Sequence, residues 1–155
     1  MKVIPTNLPC VLLIETRTFG DRRGYFCEDY QQEKFVTMGI DANFVQDKLS
    51  RSEKGVLRGL HYQEPSAQGK LIQVIRGEVF DVTVDIRQGS PSFGQWTGFE
   101  LSGAAGNMLW VTECFAHGFM VLSDHAEVVY KVTDYWASDT EHVICWYYTV
   151  YIKKE

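Results

Sequence analysis

Val79-Phe80-Asp81-Val82-Thr83-Val84-Asp85-Ile86-Arg87 alternates without a break. In an extended chain, Phe80, Val82, Val84 and Ile86 share one face, and Asp81, Thr83, Asp85 and Arg87 share the other. No helical period fits that stretch, so it is a strand, and Gly89-Ser90-Pro91-Ser92 closes it. Similar short segments lie on both sides. Strands are predicted over residues 11–16, 25–30, 44–50 and 56–63, and an apolar strand follows Lys70. Beyond the central strand they are predicted over 94–101, 107–111, 116–122 and 127–133. Gly20 to Gly24 reads as a turn, as does Ser52-Glu53-Lys54-Gly55. Residues 31–38 read as a short helix ended by Gly39.

Composition agrees. Val, Ile and Thr number 34 and the aromatics 21, against seven Ala, a balance that suits pleated sheet over helix. With 155 residues the chain is predicted to form one domain. About ten short strands in one all-β domain predict a double-sheet jelly roll with a few short helices, a fold whose mouth can hold a ligand. A net charge of -5 argues against a nucleic-acid binder but allows a small basic pocket. No apolar run is long enough to span a membrane, and Met1-Lys2-Val3-Ile4-Pro5 does not open a secretory leader. Cys10, Cys27, Cys114 and Cys145 form no CxxC pair, which predicts reduced thiols in a cytoplasmic protein. Cys114, beside a histidine segment, reads either as a reactive thiol or as a buried free one.

Polar groups inside such a sandwich are costly unless paired, so they mark candidate sites. Arg58-Gly59-Leu60-His61 puts a cation and an imidazole in one strand. Strict alternation sends them to opposite faces, and a bulge at Gly59 brings them to one. On pattern alone, a lone strand histidine such as His61 is more often a satisfied structural residue than a functional one. His117 lies in a second apolar strand, whereas His125 and His142 sit in polar contexts. Lys70 is either an edge residue or an ammonium turned into a pocket. Tyr130 is either a core tyrosine or a functional phenol. Asp81 and Asp85 share a face at a spacing common in solvated strands. For metal, His61-Tyr62-Gln63 lacks the second histidine of a usual cupin ligand set, and Lys70 stands near an expected acidic ligand. A metal-free site is therefore predicted. No GxSxG, P-loop or GxGxxG occurs.

Residues 19 to about 135 resemble the dTDP-4-dehydrorhamnose 3,5-epimerases, the RmlC-like sugar-nucleotide epimerases of the cupin superfamily. The resemblance runs through Phe19-Gly20-Asp21-Arg22-Arg23-Gly24, Phe44-Val45-Gln46-Asp47 and Gly55-Val56-Leu57-Arg58-Gly59-Leu60-His61-Tyr62-Gln63. It continues through Ala67-Gln68-Gly69-Lys70-Leu71, Gly77-Glu78-Val79-Phe80-Asp81-Val82, Phe115-Ala116-His117-Gly118-Phe119 and Tyr130-Lys131. It implies a jelly-roll homodimer that exchanges an N-terminal strand. It also implies cofactor-free inversion of C3 and C5 beside the C4 ketone of dTDP-4-dehydro-6-deoxy-D-glucose. On this resemblance His61 is the base, Tyr130 the acid, and Lys70 the cation holding the developing oxyanion. Arg58 is a second sugar or oxyanion contact, and His117 a contact to the diphosphate. Arg23, Glu28, Gln46, Asp47 and Lys48 fall at substrate-binding positions. Trp136 stands where the family has a base-stacking tyrosine, and Glu141 where it has an acidic contact. The sequence departs from the family at Lys48, commonly Asn, and at Thr112-Glu113-Cys114, commonly Pro-Glu-Gly. Residues 1–155 are read as a single epimerase domain with a tail shorter than the family's. That tail carries the family's histidine-orienting aspartate, and without it His61 is expected to be a poorer base unless Asp81 or another acid substitutes. The alternatives are a monoepimerase, an impaired sugar-nucleotide binder and a metal-dependent cupin.

Overall fold

Alternation and turn chemistry build a sandwich in the computed structural model, which describes residues 1–146. In chain order the strands are β1 (Lys2–Pro5), β2 (Val11–Glu15), β3 (Thr18–Asp21), β4 (Gly24–Cys27), β5 (Gln46–Glu53), β6 (Leu57–Gln63) and β7 (Lys70–Arg76). They continue with β8 (Glu78–Asp85), β9 (Trp96–Ser102), β10 (Asn107–Val111), β11 (Phe115–Val121), β12 (His125–Val132) and β13 (Glu141–Val143). Helix α1 (Gln32–Thr37) lies between β4 and β5. A six-stranded sheet runs β1-β2-β10-β7-β12-β5 and a five-stranded sheet β13-β6-β11-β8-β9. β3 and β4 form a separate ribbon. Crossings between the sheets give the jelly-roll order.

The main core lies between the sheets, with Ile72, Val74 and Leu109 from one and Val79, Leu101 and Val121 from the other. Each such side chain contributes roughly 1.5–3 kcal/mol on burial. A second cluster covers the other face of the six-stranded sheet. There Phe35 of α1 packs with Ile14, Leu71, Met108 and Trp110. Gly39, at φ +87, ends α1, with Ile40 N–H donating to Phe35 O and Gly39 N–H to Val36 O. That is the left-handed cap expected of glycine. Where a few short helices were predicted, α1 is the one α-helix among the described residues, because the β-branched and aromatic composition leaves little else for a helix.

β8 keeps its alternation, but its polar face is the buried one. Asp81, Thr83 and Asp85 have no exposure, whereas Phe80, Val82 and Ile86 are partly exposed. The solvated-strand reading of the two carboxylates is therefore corrected. Both can face inward because both are satisfied. Asp81 meets His117, and Asp85 accepts from Arg87, Ser90 and Ser92. Burial pushes Asp85 up, but those bonds outweigh it and hold the carboxyl well below its usual range.

β6 and β11 are irregular. His61 pairs with His117 and Arg58 with Phe119, so Gly59 and Leu60 stand against Gly118 alone. This is the bulge expected at Gly59. Gly59 has φ +125, and a Cβ there would lie 2.5 Å from Gly118 Cα. Gly59→Ala is accordingly expected to destabilise the protein by about 3 kcal/mol in chemical denaturation, through backbone strain plus displacement of β11.

Candidate active site

One end of the sandwich interior is polar. Along β5, alternation turns Lys48, Ser50 and Ser52 inward and leaves Leu49 67% exposed. Tyr130 of β12 sits opposite Lys48 and opposite Ile72 of β7, and Lys70 starts β7 opposite Val132. These residues all belong to the six-stranded sheet. From the facing sheet, the bulge brings Arg58 and His61 of β6 to the same side, with His117 of β11 beside His61. β13 adds Glu141, and the segment after β12 adds Trp136. The side chains close around a cavity of about 270 Å³.

Each charged group has a defined environment. His117 Nε2–H donates to Asp81 at 2.8 and 2.9 Å, both groups being buried. Burial raises the Asp81 carboxyl above its usual value, and His117 opposes that shift. Asp81 is thus engaged by His117, not by His61. Arg58 Nε–H donates to Ser52 Oγ at 2.8 Å, and Ser50 Oγ lies 3.4 Å from the Tyr130 hydroxyl. Burial pushes the Tyr130 phenol up to about 12, with Ser50 pulling the other way. Lys48 Nζ donates to Gln68 Oε1 at 3.2 Å, and Lys70 Nζ to Gln68 O at 3.4 Å. Burial, then the neighbouring Lys48, brings Lys70 down to about 8, while Glu141 and Glu113 oppose. Behind Lys70, Gly69 N–H donates to Thr133 Oγ1, which donates to Glu113 Oε1. Burial also holds the His61 imidazole below its usual value, while Glu141 pulls upward.

Lys48, Arg58 and Lys70 line the cavity against one acid among the described residues, Glu141. That excess of positive charge suits an anionic ligand. No group of three or more His, Cys, Asp or Glu among the described residues is arranged to hold a metal ion.

The cavity gathers His61, Tyr130, Lys70, Lys48, Arg58, His117, Trp136 and Glu141. It does not gather Arg23, whose guanidinium pairs with Asp21 at 2.6 Å on the exposed β3–β4 ribbon. Nor does it gather Glu28, which pairs with Lys34. Asp47 points outward to Lys131 at 3.0 Å, because its neighbour Lys48 takes the inward turn. Gln46 acts at one remove, its Oε1 accepting the Trp136 N–H at 3.0 Å. Sequence reading missed Ser50, Ser52 and Gln68. The alternation Lys48-Leu49-Ser50-Arg51-Ser52 signals the two serines, and nothing in the sequence pattern marks Gln68. Cys114 is exposed with φ +66, a left-handed conformation that a side chain rarely adopts. The buried-thiol reading fails there.

A family profile described as dTDP-4-dehydrorhamnose 3,5-epimerase matches residues 5–152. The dTDP-4-dehydrorhamnose 3,5-epimerase of Pseudomonas aeruginosa is 53% identical, with 94% of this chain and 81% of that protein covered. The crystal structure of dTDP-6-deoxy-D-glucose-3,5-epimerase RmlC from Legionella pneumophila, in complex with dTDP-4-keto-L-rhamnose, superposes with a TM-score of 0.92 at 50% identity. That match covers 94% of this chain and 78% of the other. ChmJ, a 3'-monoepimerase from Streptomyces bikiniensis in complex with dTDP-quinovose, superposes with a TM-score of 0.84 at 30% identity, covering 90% and 72%.

The environment of Lys70 makes a direct prediction. Its ammonium is charged below a pH of about 8 and neutral above it. Lys48→Gln removes the adjacent like charge, so the Lys70 titration, read by NMR of labelled lysine side chains, moves to higher pH. An unmoved midpoint would show that Lys48 does not act on Lys70.

Proposed function

The chain belongs to the dTDP-4-dehydrorhamnose 3,5-epimerase family, and from that premise we propose that it inverts C3 and C5 of dTDP-4-dehydro-6-deoxy-D-glucose without a cofactor. The observation that carries this reading is the placement of an imidazole and a phenol on facing sheets around one cationic cavity. His61 takes the proton from the carbon beside the C4 ketone. The C–H electron pair moves to the ketone oxygen, where Lys70 and Arg58 hold the negative charge. Tyr130 then delivers a proton from the opposite sheet, and the carbon is inverted. The cycle closes when His61 loses its proton and the phenolate regains one.

The ionisation states support these roles. An imidazole held below its usual value is a neutral base near pH 7, and a phenol near 12 keeps its proton until the enolate needs it. His117 and Lys48 suit the diphosphate, and Trp136, half exposed, suits a stacked base. A monoepimerase acting at C3 or C5 alone is the second reading, favoured by the likeness to ChmJ at 30% identity. The higher identity to the 3,5-epimerases places it second.

The same reading makes the protein a homodimer of single-domain chains. β3 and β4 expose Phe19, Tyr25 and Phe26 at 52–69%, and Arg23 and Glu28 lie outside their own cavity. We take this ribbon to reach the partner's cavity and supply its nucleotide contacts. Cytoplasmic residence fits the free thiols. Among the described residues no helix is long and apolar enough to cross a membrane.

Two experiments test these proposals. With dTDP-4-dehydro-6-deoxyglucose in deuterated water, the wild type incorporates solvent deuterium at C3 and C5. His61→Ala loses exchange by roughly 10³-fold, whereas Tyr130→Phe loses inversion by roughly 10²-fold more than it loses exchange. Exchange in both variants at the wild-type rate would sink the assignment. For the dimer, Arg23→Ala and His61→Ala proteins are each nearly inactive but regain activity when refolded together, because each hybrid holds one intact site. Additive, unrescued activity means that Arg23 serves its own subunit.

A further inference from the structure

Behind Lys70, outside the cavity, stands a second carboxylate. Glu113 lies in the loop between β10 and β11, two residues past Val111, which pairs with Lys70. It lines a hollow with Asp41, Trp110, Thr112, Thr133 and Asp134. Among the described residues that hollow and the active-site cavity share none. Two threonines hold the carboxylate. Thr112 Oγ1–H donates to Oε2 at 2.8 Å, and Thr133 Oγ1–H to Oε1 at 3.0 Å. Thr133 in turn accepts the Gly69 N–H on Oγ1 at 2.8 Å and donates its own N–H to Gly69 O at 3.1 Å. These bonds tie Glu113 to the backbone immediately before Lys70, one position beyond the Val132–Lys70 pair of the β7–β12 ladder. Gly69 makes the approach possible, since a Cβ there would lie 3.0 Å from Glu113 Oε1 and 2.8 Å from the Trp110 ring. Burial favours the neutral acid. The Glu113 backbone N–H, the two hydroxyls and the charge of Lys70 outweigh it and hold the carboxyl below its usual value. Glu113 is therefore a fixed anion beside the lysine.

We propose that Glu113 is a positioning residue for Lys70: from outside the cavity it anchors, through Thr133, the chain that carries the lysine, and its negative charge keeps the ammonium a cation. The inference rests on the reading of Lys70 as the group that holds the enolate oxygen, and adds what keeps that group charged. A neutral amine at the same place gives the oxyanion no full charge to meet. The margin is narrow, because Lys70 titrates at about 8. The groups facing it pull both ways. Lys48 on β5 repels the ammonium, whereas Glu141 on β13 and Glu113 attract it. Arg58 and His61 on β6, His117 on β11 and Tyr130 on β12 complete the titratable lining of the cavity. Asp134, in the outer hollow, accepts the Tyr135 N–H. Glu141 lines the cavity itself, where an anionic substrate meets it. Glu113 stands outside and acts on Lys70 whether the cavity is empty or filled.

Glu113→Gln keeps the shape and an acceptor for Thr133 and removes the charge. Without that attraction Lys70 loses its proton more readily. Its titration, read by NMR of labelled lysine side chains without substrate, moves to lower pH, opposite to the effect of Lys48→Gln. The alkaline limb of kcat/KM follows, so that activity falls roughly 10-fold at about pH 9 and is nearly unchanged at about pH 6. Glu113→Asp, which keeps the charge, holds the alkaline limb near that of the wild type. Thr133→Val removes the anchor and leaves the charge, and lowers kcat equally at both pH values, by roughly 10-fold. A Lys70 midpoint unmoved in Glu113→Gln, or an activity loss equal at both pH values, is what a merely structural glutamate produces and overturns the proposal. If the wild type turns over no dTDP-4-dehydro-6-deoxyglucose, the family reading fails instead, and the Lys70 titration still decides Glu113.

Discussion

The close approach of Gly59 to Gly118 sets the geometry that the rest of the site depends on. Each lacks the one atom that would forbid the contact, since a Cβ on Gly118 would lie 2.6 Å from Arg58 O. The approach lets β6 carry two residues against one of β11 without leaving the sheet. Beyond the bulge, the alternation of β6 is shifted by one position. Arg58 and His61 therefore face the same way, and His61 lands beside His117. Without the bulge one of the two would lie on the outer face of the sheet.

Polarity is distributed by the same economy. The sandwich holds carboxylates inside at two places on β8, and each is matched locally. Asp81 fixes His117, and Asp85 ties the turn after β8 through Arg87, Ser90 and Ser92. The cations nearest the cavity are treated differently. Lys48 and Lys70 share Gln68 and have no ion-pair partner within 4.0 Å among the described residues. Structural charge is thus neutralised, while charge at the cavity is left available for a ligand. Burial first, and then the neighbouring Lys48, brings the Lys70 ammonium down to about 8.

Most of this fold was legible in the sequence, and the reasons for the exceptions are local. β8 to β12 follow alternation or apolar runs, so their existence could be read. β1, β3 and β13 have only three or four residues, too few to show a period. β5 was expected to end before a turn at Ser52. It runs on to Glu53 because Ser52 is buried opposite Ala126 and accepts from Arg58. In the site, His61, Lys70 and Tyr130 stood out as polar residues in apolar strands, and family likeness named their roles. That Glu141 comes near His61 was not legible, because the two are 80 residues apart in the chain and meet only through the β13–β6 register. Inward-facing Asp81 and Asp85 were misread for a related reason: alternation defines two faces without saying which is buried.

The cavity has one wall from each sheet, and its two proton-handling candidates stand on opposite walls. Its width is therefore not set by any loop or hinge. It is set by how thickly the Ile72, Val79 and Leu101 layer fills the space between the sheets. The hydrophobic core acts as a spacer, and the hop length available to a proton is a mechanical property of that spacer. A methylene lost from the core, far from any reacting atom, changes the gauge of the whole chamber.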